Sequence, residues 1–123
     1  MISYKMLDVW KISMETVNEV YMLTKTYPVE ERFGLISQTN RAAVSIPSNI
    51  AEGLGRHYKK DCIQFLHISR GSAYELETLL SVALMTKIIN EQNYNKLNKI
   101  VERNIQLING FIKHIRSTIN DTR

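Results

Sequence analysis

The chain has 123 residues, of which 44% are hydrophobic and 23% charged, with a formal net charge of +4 and one cysteine. This length suffices for a single domain, residues 1–123, with its own hydrophobic core, and the lone cysteine excludes an internal disulfide framework. No apolar run reaches the roughly 18 residues that span a bilayer, and no signal-peptide core is evident, so we expect a soluble, cytoplasmic protein with no membrane partner.

The charge is unevenly distributed along the chain. Residues 1–31 have a net charge of −2, residues 32–70 a net charge of +4 and residues 71–123 a net charge of +2. A basic middle segment permits a polyanionic partner but does not require one.

The first predicted element is an amphipathic helix over residues 6–26. Tyr27-Pro28 ends it, because the residue before a proline resists helical backbone angles. The apolar positions recur at helical spacing and are Leu7, Trp10, Met14, Val17 and Tyr21, with Val20 and Leu23 widening the stripe.

The second predicted helix covers residues 28–54 and contains a proline near its middle. Pro28 suits the first turn of a helix, and Phe33 is the first of its predicted apolar positions. Pro47 lacks an N–H and its ring crowds the carbonyl of Ala43, so we predict a kink there. The alternative is that Pro47 divides the stretch into two helices.

Three glycines enter the predictions for the second and third helices. Gly53 and Gly55 are expected to adopt the left-handed conformation that stops the second helix. The third helix is predicted over residues 60–89, with Gly71 in its interior, where a close helix crossing would account for a glycine. The alternative is that this glycine is a tolerated flaw in the helix.

Two apolar stripes run along the third helix, and one buried face needs only one of them. We therefore predict that the second stripe forms a subunit interface. The first comprises Ile63, Leu66, Ala73, Leu76, Leu80 and Ala83, and the second comprises Phe65, Ile68, Leu79 and Val82.

Asn90 is the predicted N-cap of a fourth helix over residues 91–120, whose apolar positions continue to Ile119. No segment alternates with period two for long enough to form a strand. Four helices joined by short links predict an all-α fold, an antiparallel up-down-up-down four-helix bundle.

The sequence offers little support for catalysis. Gly53-Leu54-Gly55 lacks the preceding strand and third glycine of a phosphate-binding loop. The histidines are not paired at the i, i+4 spacing of metal ligands, and Cys62 and His67 point in different directions on a helix. We expect a protein that is not an enzyme, with no metal, cofactor or small-molecule substrate.

The strongest candidate for ligand binding is a run of five residues between the second and third helices. Arg56, His57, Lys59 and Lys60 surround Tyr58. Cations neutralise phosphates, and an aromatic ring among them can stack on a base, so this run is a candidate nucleic-acid-binding site. The alternative is a solvated basic loop that only maintains solubility.

A second group of polar residues is expected to be structural. Arg41 and Arg70 each lie in a stretch of mostly apolar or small residues, so each should need an acidic partner. The candidate partners are Glu52, Glu75 and Glu77. Asn49 is expected to hydrogen-bond the carbonyl that the proline at 47 leaves free.

Residues 32–56 (RFGLISQTNRAAVSIPSNIAEGLGR), residues 61–80 (DCIQFLHISRGSAYELETLL) and the preceding YP-x-EE step resemble a known family. It is the family of bacterial four-helix-bundle proteins encoded in intervening sequences of 23S ribosomal RNA genes. The run from Arg41 to Gly53 is the most specific part. Tyr58 and Ser69-Arg70 depart from the family pattern.

The resemblance implies an antiparallel four-helix bundle that assembles into a ring, a homopentamer. A related branch, the accessory variability determinant of diversity-generating retroelements, works with a reverse transcriptase and its RNA, which implies nucleic acid or a nucleoprotein as partner. No biochemical activity is implied for the intervening-sequence proteins themselves. The alternative function is a protein–protein interaction scaffold without direct nucleic-acid contact.

Overall fold

The computed structural model describes the backbone of residues 3–121 and the side chains of residues 3–119. The domain predicted over residues 1–123 therefore extends beyond the described residues at both ends. The described elements are a 3-10 turn at Tyr4–Met6, α1 at Asp8–Thr24, a 3-10 turn at Val29–Glu31, α2 at Leu35–Leu54, α3 at Lys59–Met85 and α4 at Glu91–Asp121. None of these is a strand, which confirms the all-α prediction.

The four helices form a bundle in which each helix packs against two others. α1 contacts α2 and α4, and α3 contacts the same two helices. The largest side chains without any solvent exposure lie in the shared core and are Ile46, Ile50, Leu66, Leu76, Leu80 and Ile108. The antiparallel order of all four helices stays a prediction.

The buried face of α1 differs from the predicted apolar stripe. Met14 and Tyr21 are exposed, whereas Ser13 and Thr16 have no exposed surface. Burial of these hydroxyls is tolerated because each has an acceptor: Ser13 Oγ donates to Trp10 O at 2.7 Å, and the one proton of Thr16 Oγ1 is shared between Asn104 Oδ1 at 2.7 Å and Ile12 O at 3.0 Å.

α2 begins later than predicted, at Leu35 rather than residue 28. The segment before it forms only a 3-10 turn, and a carboxylate oxygen of Glu31 accepts the Leu35 N–H at 3.2 Å. The placement of Phe33 as the first apolar position of this helix is wrong, because Phe33 precedes the helix and is 87% exposed, with the Arg32 guanidinium 4.9 Å from its ring centre.

α2 continues through Pro47 as one helix, so the two-helix alternative is wrong, while the kink stays a prediction. The predicted role of the glycines at its end is also wrong. No described glycine has a positive φ, and Gly55 has φ −84°. Gly53 is needed for another reason: a Cβ at this position would lie 2.9 Å from Phe65 Cβ and 3.0 Å from the Cys62 carbonyl. α2 and α3 meet here too closely for a side chain.

α3 ends at Met85, four residues before the predicted end. Lys87 has φ 65°, and the N–H groups of Lys87 and Ile88 return to the carbonyls of Leu84 and Ala83 at 3.0 and 2.8 Å. These two bonds form a Schellman motif with lysine where glycine is usual. The close crossing predicted at Gly71 is wrong, since nothing lies within 4 Å of a Cβ built there.

α4 begins after the predicted cap, because Asn90 Oδ1 accepts the Asn93 N–H at 2.7 Å. Three side-chain contacts join α3 to α4. They pair Ser81 with Tyr94, Arg70 with Asn109 and His67 with Arg116, an order in which residue numbers fall along α3 as they rise along α4.

Candidate nucleic-acid interface

The connection between α2 and α3 exposes all five residues of the predicted nucleic-acid site. Gly55 ends α2, and α3 begins at Lys59 after Tyr58, whose backbone is extended (φ −100°, ψ 136°). Every residue from Arg56 to Lys60 is exposed, and the Tyr58 side chain is exposed by 66%. The chain therefore presents one aromatic ring and several cations at the end of the bundle.

Lys59 and Lys60 occupy the first turn of α3, a position that does not favour cations. The partial positive charge at a helix N-terminus costs a cation roughly 0.3–1 kcal/mol, and only Asp61 in this turn has the favourable sign. The α3 dipole thus gives no reason for two lysines here, and such departures from local preference concentrate at functional sites.

Three contacts hold the aromatic and cationic groups of the connection in place. The Arg56 guanidinium lies 4.6 Å from the centre of the Phe65 ring and 3.9 Å from a carboxylate oxygen of Glu52. The rings of His57 and Tyr58 meet edge to face, with centres 4.7 Å apart. Both partners of the ion pair are exposed, so Arg56 keeps donors available to a ligand.

Lys59 connects the loop to the last turns of α4. Its Nζ donates to the Thr118 carbonyl at 3.4 Å, where the negative end of the α4 dipole favours a cation. This contact places the loop beside the cationic residues of the α4 end, among them the exposed Lys113 and Arg116. The basic surface therefore includes residues that are far from the loop in sequence.

Sequence reasoning missed one part of this surface. Arg116 Nη2 lies 3.5 Å from His67 Nε2, and Arg70 Nη1 donates to Asn109 Oδ1 at 2.8 Å. Partial burial lowers the pKa of His67, and the positive charges of Arg70 and Arg116 lower it further. The i, i+3 spacing of His67 and Arg70 was visible, but the approach of Arg116 depends on the register of α3 against α4.

The residues predicted to be structural do not form one cluster. Arg70 donates to an asparagine rather than to an acid. Arg41 and Glu75 line one groove between α2 and α3 without a salt bridge within 4 Å. Glu52 pairs with neither Arg41 nor Arg70. It forms an ion pair with Arg56 instead.

Asn49 bonds a different carbonyl from the predicted one. Its Nδ2 donates to the Ser45 carbonyl at 2.8 Å and to Ser45 Oγ at 2.9 Å. The carbonyl that Pro47 leaves without its helical donor is that of Ala43. The amide of Asn49 therefore braces α2 one turn before itself and is not the substitute donor at the proline.

Other chemical groups give no further site among the described residues. Side chains 3–119 contain no group of three His, Cys, Asp or Glu placed to hold a metal ion. Cys62 is buried, and burial raises the pKa of its thiol, so the reactive thiolate is disfavoured. In the described part of the chain, no helix is both long and apolar enough to cross a membrane.

Known proteins provide an independent comparison. The model of the 23S rRNA-intervening sequence protein family matches residues 5–110. No curated protein matches the chain. A crystal structure from Bacteroides thetaiotaomicron VPI-5482, described as a protein with unknown function from the S23 ribosomal protein family, is similar over 85% of this chain and 98% of its own, with 27% identity and a TM-score of 0.80. The family resemblance of the sequence is thereby confirmed, and the chain belongs to the 23S rRNA-intervening sequence protein family.

Proposed function

We propose that this protein is a non-enzymatic, cytoplasmic nucleic-acid-binding protein that acts as a ring of identical subunits, with RNA, DNA or a nucleoprotein as its partner. Arg56, Lys59 and Lys60 contact phosphates, and a base stacks on Tyr58. The observation that supports this most is the exposed aromatic ring among cations, two of which occupy an unfavourable position at the start of α3.

Ring assembly would multiply this surface. A homopentamer is the stoichiometry that the family resemblance implies, and five copies of a chain with net charge +4 carry +20. Ile68 and Tyr74 on α3 are about half exposed, and Val44 on neighbouring α2 is 39% exposed, so an apolar surface is available for contact between subunits. Several modest sites on one ring bind a long polyanion with high avidity.

The test is a triple variant, Arg56→Gln, Lys59→Gln and Lys60→Gln, compared with a control, Lys96→Gln, Lys99→Gln and Arg103→Gln on α4. Both remove three exposed cations, so overall charge falls equally. Binding of a fluorescent single-stranded RNA is followed by anisotropy over a series of salt concentrations. The loop variant should bind more weakly than the parent. The magnitude of the slope of log K against log salt should fall by about 2 for each loop that contacts the RNA, since each of the three phosphate contacts contributes about 0.7.

The control variant should keep most of the affinity and of the salt slope. Equal losses in the two variants would show that only total charge matters, and unchanged affinity in the loop variant would exclude this surface. Variants should retain the helical circular dichroism of the parent, because all six side chains are exposed.

A second candidate function, a protein–protein interaction scaffold, is supported by the segment between α1 and α2. Phe33 and Val29 are 87% and 65% exposed there. Contiguous exposed apolar surface marks contact sites, and these two side chains are four residues apart in one short segment. On this alternative, a stoichiometric protein partner co-purifies after nuclease treatment and no longer co-purifies with a Phe33→Ser variant. RNA binding by the purified chain alone is then absent or does not depend on salt.

A further inference from the structure

We propose that His67, Arg70 and Arg116 form a second anion-binding site, for the oxyanion of a phosphate group, on the flank between α3 and α4. The three residues lie outside the α2–α3 loop. Contacts between α3 and α4 pair Arg70 with Asn109 and His67 with Arg116. The inference rests on the proposed function in that the natural ligand is taken to be a phosphodiester of the bound nucleic acid.

The two arginines are positioned by uncharged partners. Arg70 donates from Nη1 to the Asn109 amide oxygen at 2.8 Å, and Arg116 approaches the His67 ring nitrogen Nε2 at 3.5 Å. A guanidinium has five N–H donors, so each arginine keeps most of them available. No acidic group forms an ion pair with either arginine among side chains 3–119. The guanidinium groups are therefore fixed in direction but not neutralised.

An acidic pair on the same two helices lies away from Arg70 and Arg116. Glu77 on α3 faces Glu102 on α4, and burial together with the charge of Glu102 raises the pKa of Glu77. Glu77 lies seven residues beyond Arg70, about 10 Å along the helix. Like charges are thus gathered at both places instead of pairing, which leaves the basic half of this flank without a counterion from the described residues.

His67 gives the site a dependence on pH. Arg116 can only donate, so a hydrogen bond between the two side chains requires an unprotonated Nε2 on a neutral ring. The charged groups that act on the ring are Arg70 from its own helix and Arg116 from α4, and both lower the pKa of His67 in addition to partial burial. α2 meets α3 on another side, at Ser69 and Ser72.

An oxyanion between the arginines would reverse this effect. Its negative charge favours the protonated imidazole, in which both ring nitrogens donate. Anion binding and protonation of His67 then strengthen each other, so the anion binds more tightly as the pH falls through the pKa of His67.

The site lies within reach of a strand bound at the loop. His67 is eight residues after Lys59 on α3, about 12 Å along the helix, or about three to four phosphate spacings of a stacked strand. Lys59 bonds the carbonyl of Thr118, two residues beyond Arg116 on α4. The loop and the flank therefore form one basic surface around the end of α4.

The experiment uses the full chain and sulfate, a tetrahedral, doubly charged oxyanion whose charge does not change over the range. The pKa of each histidine is measured by nuclear magnetic resonance of the imidazole Cε1–Hε1 signals between about pH 5 and 8, in sulfate and in chloride at equal ionic strength. We expect sulfate to raise the pKa of His67 by about 1 or more. A His67→Asn variant assigns the signal.

His114 is the internal control, because it lies two residues from Arg116 on a different side of α4 and stacks on Phe111. Its imidazole signals should not distinguish sulfate from chloride. Arg70→Gln and Arg116→Gln should each remove most of the sulfate effect, whereas Arg103→Gln, a charge-matched change on α4, should retain it. An equal response of His67 and His114, or a full response in both site variants, would overturn the proposal.

A second arm replaces sulfate with single-stranded RNA and separates this inference from the proposed function. A sulfate response of His67 without RNA binding leaves the anion site standing, contradicts the proposed function and assigns the site to free oxyanions. RNA binding that is unaffected by Arg116→Gln and leaves the pKa of His67 unchanged contradicts the inference alone. RNA that raises the pKa of His67 supports both.

Discussion

Single buried polar groups decide several features of this bundle. Thr16 and Asn104 have no exposed surface, and a hydrogen bond of 2.7 Å joins Thr16 Oγ1 to Asn104 Oδ1 across α1 and α4. A slip of one helix against the other would leave the amide in an apolar core without its partner, at a cost of about 1–3 kcal/mol. This pair therefore favours one register of α1 against α4.

Tyr27, at the end of α1, has a buried hydroxyl without a hydrogen-bond partner among the described residues, and burial raises its pKa from 10.0 to about 12. Between these values the native chain keeps the proton that the unfolded chain has lost, so stability must fall as the pH rises. We expect Tyr27→Phe to be as stable as the parent or more so at pH 7, and to lose less stability above pH 10.

Urea unfolding of both proteins at neutral pH and at about pH 11 measures this difference. Titration of lysines and other tyrosines is common to both proteins and cancels in the comparison. An identical loss of stability in the parent and in Tyr27→Phe would contradict the assignment of this pH dependence to Tyr27.

At the scale of helices, two glycines of similar appearance in the sequence have opposite roles. A methyl group at Gly53 would meet Phe65 and the backbone of α3, whereas one at Gly71 meets open space. We expect Gly53→Ala to destabilise the fold, because overpacking costs about 1–3 kcal/mol and outweighs the gain in helix propensity. Gly71→Ala should stabilise it by about 0.5–1 kcal/mol.

Chemical denaturation of the two single variants, each compared with the parent, provides the measurement. A stable Gly53→Ala protein would mean that α2 and α3 separate at little cost. A loss of stability in Gly71→Ala that depends on protein concentration would show that another subunit packs on this part of α3.

At the scale of the whole molecule, the proposed ring makes a direct prediction. Light scattering coupled to size exclusion, on protein purified without nuclease, should give one species of about five subunits with excess absorbance at 260 nm that high salt removes. A monomer would contradict both ring and avidity, and the exposed Ile68 and Tyr74 would then need another explanation. A pentamer free of nucleic acid, with a co-purifying protein, would favour the scaffold function.

The sequence predicted four helices because long apolar periodicities survive local irregularities. The prediction failed where a tertiary contact or an unusual backbone angle determines the structure. Gly53 does not stop α2 through a left-handed conformation but allows α3 to approach closely, and Lys87 adopts a left-handed conformation that favours glycine. The basic loop was predictable because its residues are consecutive. The approach of Arg116 to His67 was not, because it joins positions 49 residues apart whose meeting depends on packing.

Cys62 is buried where α2 and α3 approach closely, since a Cβ at Gly53 would lie 3.0 Å from the Cys62 carbonyl, and it is close in sequence to the basic loop. Because Cys62 is buried, we expect a thiol reagent to modify it through a local opening of the structure, and the rate of modification then reports the free energy of that opening. The protein thus contains its own single-site reporter. A ligand bound to the loop and the α3–α4 flank would lower the rate of Cys62 modification, and a ligand bound elsewhere would leave that rate unchanged.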